Sequence, residues 1–284
     1  MSGEQVRYPA VAGQFYAGTK SALLKQIEKC YTHPHGPGKV PKVQAGKRRL
    51  VGLVSPHAGY MYSGPVAAHG FDYMAQDGKP NSIVIIGPNH TGIGSGVSIM
   101  TSGRWQTPLG NVEIDKQLAG SIKQSSEIID EDAAAHAGEH SLEVQLPFLQ
   151  HLFDAKFKIV PICMMMQDEE TSEEIGRVIA KAAAKKDVVV IASTDFTHSE
   201  PQQSAAVKDG KAIDRILALD WHGLMRTVED KNISMCGYGP VSVMLRAAEG
   251  LGAKRAKLLK YATSGETAAP MPQVVGYGSI AILR

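Results

Sequence analysis

Three apolar runs each lead into a short polar segment that carries a histidine. Residues 50–54 run into Ser55-Pro56-His57, and residues 83–86 into Gly87-Pro88-Asn89-His90. Residues 188–191 lead to Ser193-Thr194-Asp195-Phe196-Thr197-His198. Histidine is the commonest metal ligand and the side chain that exchanges a proton near neutral pH. Two further segments carry reactive groups. In Glu139-His140-Ser141-Leu142-Glu143, His140 and Glu143 lie three apart and would share a helix face. Met235-Cys236-Gly237-Tyr238-Gly239-Pro240 is a glycine-rich turn ahead of a helix, where a thiol is expected to ionise more readily. Each feature alone has an ordinary explanation. A lone histidine after a strand is usually a hydrogen-bonded structural residue, and a lone cysteine a small buried apolar one. The Asp195-to-His198 spacing also suits an Asx-type turn. The same residue type at three strand ends is what favours a metal or acid–base site. By that standard His69, inside an apolar helical pattern, reads as a core histidine, and His33, His35, His136, His151 and His222 have no such context.

The elements that must position these residues alternate between two periodicities. Residues 50–54, 83–86, 157–162, 188–191 and 274–283 read as strands, several as unbroken apolar runs suited to a sheet covered on both faces. Residues 21–31 (with Thr19 as cap), 65–75, 116–124, 140–153, 171–184, 205–219 and 240–249 read as helices. In the fourth of these Leu142, Leu146, Leu149 and Phe153 line one face, and Pro147 should kink the helix. The alternation predicts an α/β domain with helices packed on a mainly parallel or mixed sheet. In such sheets the ligand crevice lies beyond the carboxyl ends of the strands. If the three histidine-bearing strands are parallel neighbours, the imidazoles face one pocket.

Composition narrows the classes. With 284 residues, no internal repeat and no linker, one domain over 1–284 is expected, with 33–48 as a surface loop. Thirty basic residues stand against 28 acidic ones, and the cluster Lys39, Lys42, Lys47, Arg48 and Arg49 is interspersed with Gly and Pro. That distribution argues against nucleic acid as a partner. Cys30, Cys163 and Cys236 form no CxxC pair, so neither a disulfide framework nor a zinc knuckle is expected. No apolar run approaches the roughly 20 residues that cross a bilayer, and residues 1–13 lack the order of a signal peptide. No membrane partner and a cytoplasmic location are the expectation.

Six motifs in fixed order resemble the Memo family. They are Arg7-Tyr8-Pro9-Ala10-Val11-Ala12-Gly13-Gln14-Phe15-Tyr16, Pro56-His57-Ala58-Gly59-Tyr60, Gly87-Pro88-Asn89-His90, the segment from Glu139 to Glu143, the segment from Ser193 to His198, and Cys236-Gly237. The resemblance runs from about Arg7 to the C-terminus. It implies an αβα sandwich similar to the LigB-like class III extradiol dioxygenases, in which two histidines and a carboxylate hold Fe(II). Carried over by residue, the ligands fall on His57 and His90, with Cys236 in the third position. His198 and His140, with Asp195 as an orienting carboxylate, take acid–base roles. A thiolate in place of a carboxylate shifts preference toward iron, copper or zinc and casts doubt on plain extradiol cleavage. Ala17 departs from the proline expected after Phe15-Tyr16, at a turn and not in the pocket.

The resemblance therefore implies a metal-dependent redox or dioxygenase-like protein, with Fe(II) or else Cu or Zn, acting on a small molecule. The alternatives are a non-catalytic scaffold that binds a phosphorylated peptide or small anion in the same pocket, and a zinc-dependent hydrolase. Family members also look like components of gene clusters with AMMECR-type and radical-SAM proteins, which are the implied protein partners.

Overall fold

The apolar runs become strands buried on both faces in a computed structural model that describes residues 5–284. Of the segment read for a signal peptide, residues 1–4 lie outside the described residues. In chain order the elements begin with β1 (Val6–Arg7), α1 (Lys20–Thr32), β2 (Leu50–Ser55), α2 (Gly64–Asp77), β3 (Ser82–Pro88), β4 (Val97–Ile99), β5 (Arg104–Thr107) and β6 (Gly110–Ile114). There follow α3 (Lys116–Gln124), β7 (Asp130–Glu131), α4 (Ala134–Ala137), a three-ten turn (Glu143–Gln145), α5 (Leu146–Phe153), β8 (Lys158–Met164), α6 (Glu169–Ala183) and β9 (Val188–Ser193). The last elements are α7 (Gln202–Leu217), α8 (Trp221–Asp230), α9 (Tyr238–Gly250), β10 (Arg255–Thr263), α10 (Ser264–Thr267) and β11 (Gly276–Leu283).

One mixed sheet runs in the order β1-β5-β6-β8-β3-β9-β2-β11-β10, with β4 paired to β8 and β7. Its centre, β8-β3-β9-β2, is parallel throughout, and every residue of β2, β3 and β9 is buried. The strands that end in His57, His90 and His198 are therefore adjacent and point the same way, with β9 between β3 and β2. Such a buried sheet needs helices on both faces. Two glycines show them. A side chain on Gly52 of β2 would run into Met244 of α9, whereas one on Gly70 of α2 would run into Leu53. Successive strand residues face opposite ways, so α9 and α2 cover opposite faces and the architecture is an αβα sandwich. Both helices approach the sheet closely because these positions lack a Cβ.

Several helices start on aspartates whose side chains accept an otherwise orphaned N–H: Asp115 from Leu118, Asp168 from Thr171 and Asp220 from Gly223. Residues 33–48, read as a loop, contain no helix or strand. The helix expected over 140–153 differs. Regular α-helix begins only at Leu146, so Pro147 sits in the first turn, where its missing N–H costs nothing, and no kink is needed. The polar strands β4 to β7, the helix α8 and the edge strand β10 were not among the expected elements. They lack a continuous apolar run: β5 and β6 form a short hairpin with each other, and β10 pairs with β11 at the sheet edge. Among the described residues no helix is long and apolar enough to cross a membrane.

Candidate functional site

The carboxyl ends of β2, β3 and β9 open into a cavity of about 510 Å3 lined by His57, His90, His140, His198 and Asp195, with Phe15, Tyr62, Met271 and Tyr277 forming its apolar side. A larger concavity, about 930 Å3, lies at the opposite end of β3 and β8 beside Ser82, Asp115 and Lys158, and its lining includes no histidine or cysteine. The candidate residues thus line the smaller cavity.

His57 is buried and leaves β2 with its backbone N–H donating to Asp195 Oδ1 at 2.8 Å. Its ring Nε2 lies 3.2 Å from Cys236 Sγ. Cys236 comes from the turn before α9, and the Asp195 N–H points at the same sulfur, 3.2 Å away. His90 stands across the group, its ring centroid 5.1 Å from that of His57. One donor atom each from His57, His90 and Cys236 lie within 4.8 Å of one another. The structure thus brings together all three residues on which the resemblance placed metal ligands.

The remaining expected residues reach the same cavity in different roles. His140 packs between Phe15 and His90, at centroid distances of 4.5 and 4.6 Å. His198 is half-buried at the edge of the cavity, and its Nδ1 lies 2.8 Å from the Ser234 carbonyl. A carbonyl only accepts, so Nδ1 of His198 carries a proton and Nε2 is the ring nitrogen left for other partners. Asp195 was expected to orient a histidine ring. Its carboxylate is instead taken by the backbone N–H of His57 and by that of Ala58, so it shapes the turn after β2.

His140 and Glu143, expected to share a helix face, do not. Residues 140–142 are not helical, and the buried Glu143 points away from the cavity. It accepts from the backbone N–H of Ala10 (2.8 Å) and Val11 (3.2 Å), from the Tyr16 hydroxyl and from Arg7. The neighbouring Glu139 does the work on this side. Its buried carboxylate takes His90 Nδ1–H at 2.9 Å, the His140 N–H at 2.9 Å and the Ser141 N–H at 2.8 Å, as well as the His90 backbone N–H. This fixes His90 with its Nε2 lone pair turned away from Glu139, the usual way a carboxylate orients a ligating histidine. Donor atoms of His90, Glu139 and His140 also lie within 4.8 Å of one another. With its oxygens already accepting four N–H groups, Glu139 is better described as an anchor than as a second cation site. Sequence reading passed over Glu139, Ser193, Gln145 and the apolar wall. The signal available for Glu139 was a carboxylate directly beside a motif histidine.

Electrostatics follow from burial. Burial drives the His57 imidazole well below the ordinary histidine range, reinforced by His140, His90 and His198, and brings His140 down to about 4. Burial would raise Glu139, but the hydrogen bonds from His90 and the backbone override it and hold the carboxyl at about 2. Asp195 is pushed up to about 6 by burial. The Cys236 thiol was expected to be acidic. Burial, with Asp195 adding to it, pushes it up to about 12, because the turn before α9 sits inside the protein. Burial thus favours neutral imidazoles at His57 and His140 and a protonated thiol at Cys236.

An αβα sandwich whose strand-end histidines line one cavity, with a cysteine beside them, defines the class. A family model described as Memo-like protein matches residues 7–281, and the chain belongs to the Memo family. It is 50% identical over 280 residues to a MEMO1 family protein of Methanopyrus kandleri, covering 98% of this chain and 99% of that one. A MEMO1 family protein of Sulfurisphaera tokodaii is 51% identical over 280 residues, covering 97% of this chain and 98% of the relative. Among solved structures, an uncharacterized protein of Escherichia coli K12 shares the fold, with a TM-score of 0.54 at 14% identity over 82% of this chain and 99% of that one.

Proposed function

We propose that the chain is a metal-dependent redox protein in which His57, His90 and Cys236 hold Fe(II), with copper as the other candidate, and the adjoining cavity takes a small molecule. The observation that carries this reading is the convergence of the three donor atoms within 4.8 Å. The donors suit such a cation: two imidazole nitrogens and a thiol that ionises as metal binds. Iron or copper there would supply one-electron chemistry and open positions for a small molecule. The protein's own residues do the rest. Glu139 orients His90, Phe15 and Tyr62 shape the apolar wall, and His198, held through Nδ1, presents Nε2 for proton transfer.

Two alternatives fit less well. Phosphate recognition relies on arginine forks or lysines, and the residues lining the cavity include neither. Zinc would also be accepted by this donor set, and a hydrolase would then work with zinc regardless of oxygen. The deciding experiment is elemental analysis of untagged protein purified without oxygen, alongside His57→Ala, His90→Ala and Cys236→Ser. Near-stoichiometric iron or copper that falls sharply in all three variants is expected. Normal occupancy in the variants would overturn the site.

A further inference from the structure

We propose that Ser193 and Gln145 are positioning residues that hold His57 in one tautomer, Nδ1–H, with its Nε2 lone pair directed at Cys236.

The assignment follows from counting hydrogens along a buried chain of four hydrogen bonds. The Pro56 carbonyl can only accept, and the Gln145 side-chain amide nitrogen lies 3.0 Å from it. Turning the amide over would set carbonyl oxygen against carbonyl oxygen. The other amide hydrogen of Gln145 is directed at Ser193 Oγ, 2.9 Å away. Ser193 has a single hydroxyl hydrogen, which it donates to the Ser141 carbonyl at 2.6 Å. Its oxygen is then left only with acceptor capacity toward His57 Nδ1, 2.9 Å away. The imidazole must therefore carry its proton on Nδ1. Nε2 is the bare nitrogen, and it is the atom 3.2 Å from Cys236 Sγ.

Burial makes the choice firm. Ser193, Ser141, Gln145 and His57 are all buried, so solvent cannot replace a lost partner. In the opposite tautomer the Ser193 hydrogen would have to turn to His57 and abandon the Ser141 carbonyl, a buried acceptor. The relay also explains why a serine and a glutamine occupy apolar surroundings with no contact to the cavity itself. Ser193 ends β9, Pro56 and His57 follow β2, and Gln145 closes the three-ten turn. A ring defined by one strand is thus oriented by its parallel neighbour and by the segment that carries Glu139 and His140.

The tautomer stands without the metal reading, whereas the effect on affinity rests on it. The test uses the full chain labelled with 15N-histidine and freed of metal, with His57→Ala to assign the ring. Wild type should show His57 protonated on Nδ1 alone. Ser193→Ala should show mixed tautomers and bind Co(II), the probe, roughly 10- to 100-fold more weakly, the usual size of such outer-shell effects. Ser193→Thr, which keeps the hydroxyl, should restore both. A wild-type ring protonated on Nε2 overturns the proposal. So does a Ser193→Ala protein that keeps the single tautomer and the wild-type affinity. If Ser193→Ala does not fold, the wild-type spectrum alone decides, and Gln145→Met provides the affinity comparison. Wild type that shows Nδ1–H but takes up no Co(II) would sink the metal reading and leave the tautomer assignment standing.

Discussion

Glu139 illustrates how one side chain can be both buried and ionised. Burial favours its neutral form, yet the N–H groups of His90, His140 and Ser141 converge on it and hold its carboxyl at about 2, against an ordinary 4.5. The sign of its contribution to stability follows. A folded pKa below the unfolded one stabilises the native state fully above pH 4.5, and the contribution drains away as the pH falls from 4.5 toward 2. At 1.36 kcal/mol per pKa unit it amounts to about 3 kcal/mol. Glu139→Gln should be less stable at neutral pH and lose less on acidification across that window. Urea denaturation at a series of pH values measures it. An acid limb as steep as wild type would mean that some other carboxyl governs it.

At the scale of elements, the segment between β9 and α7 is held by the helix that follows it. Asp209 on α7 is fully buried and accepts the Thr197 N–H at 2.9 Å, the Thr197 hydroxyl, and the Tyr261 hydroxyl of β10 at 2.7 Å. The Phe196 N–H meanwhile bonds to Gly276 of β11 at 2.8 Å. Asp195 and His198 flank this anchored pair, so their place at the cavity depends on an aspartate outside it. Asp209→Ala would leave a buried N–H and two hydroxyls without their acceptor. We expect a loss of about 2–4 kcal/mol, with Asp209→Asn milder because it keeps an oxygen. Chemical denaturation reads both, and equal losses would show that the charge, not the acceptor oxygen, is what matters.

Across the whole molecule, the first described residues reach the site by way of a buried ion pair. Arg7 pairs with Glu143, donates to the carbonyls of His136 (3.0 Å) and Glu139 (2.6 Å), and stacks over Trp105. Glu143 in turn holds Ala10, Val11 and Tyr16, and the same segment lays Phe15 against His140. Removing one partner of a buried pair leaves the other charge uncompensated, at a cost of about 3–5 kcal/mol. Arg7→Met should show that loss, and Arg7→Met with Glu143→Met should lose clearly less than the sum of the two single variants. A double-mutant cycle measures this coupling. Strictly additive losses would show that the two side chains act independently.

What the sequence determined by itself was local. Short apolar runs rich in β-branched residues suit doubly covered strands, which is why β2, β3, β8 and β9 were legible along with the α/β class. Polar motifs at their ends marked His57, His90 and His198 as candidates, and the ordered motifs carried the family. The short strands and β10 were not legible, because their own composition carries no apolar run and pairing within the sheet is what holds them extended. The tertiary structure alone decided which candidates meet and how each is held. It set β3, β9 and β2 side by side, turned Glu143 away toward Arg7, gave Glu139 the anchoring role, and set the half-buried Cys236 where its thiol is weakly acidic. The physical reason is common to all of these. A hydrogen bond or a desolvated charge depends on which groups lie within about 3 Å in space, and for this site they come from segments up to 179 positions apart, as with Cys236 and His57.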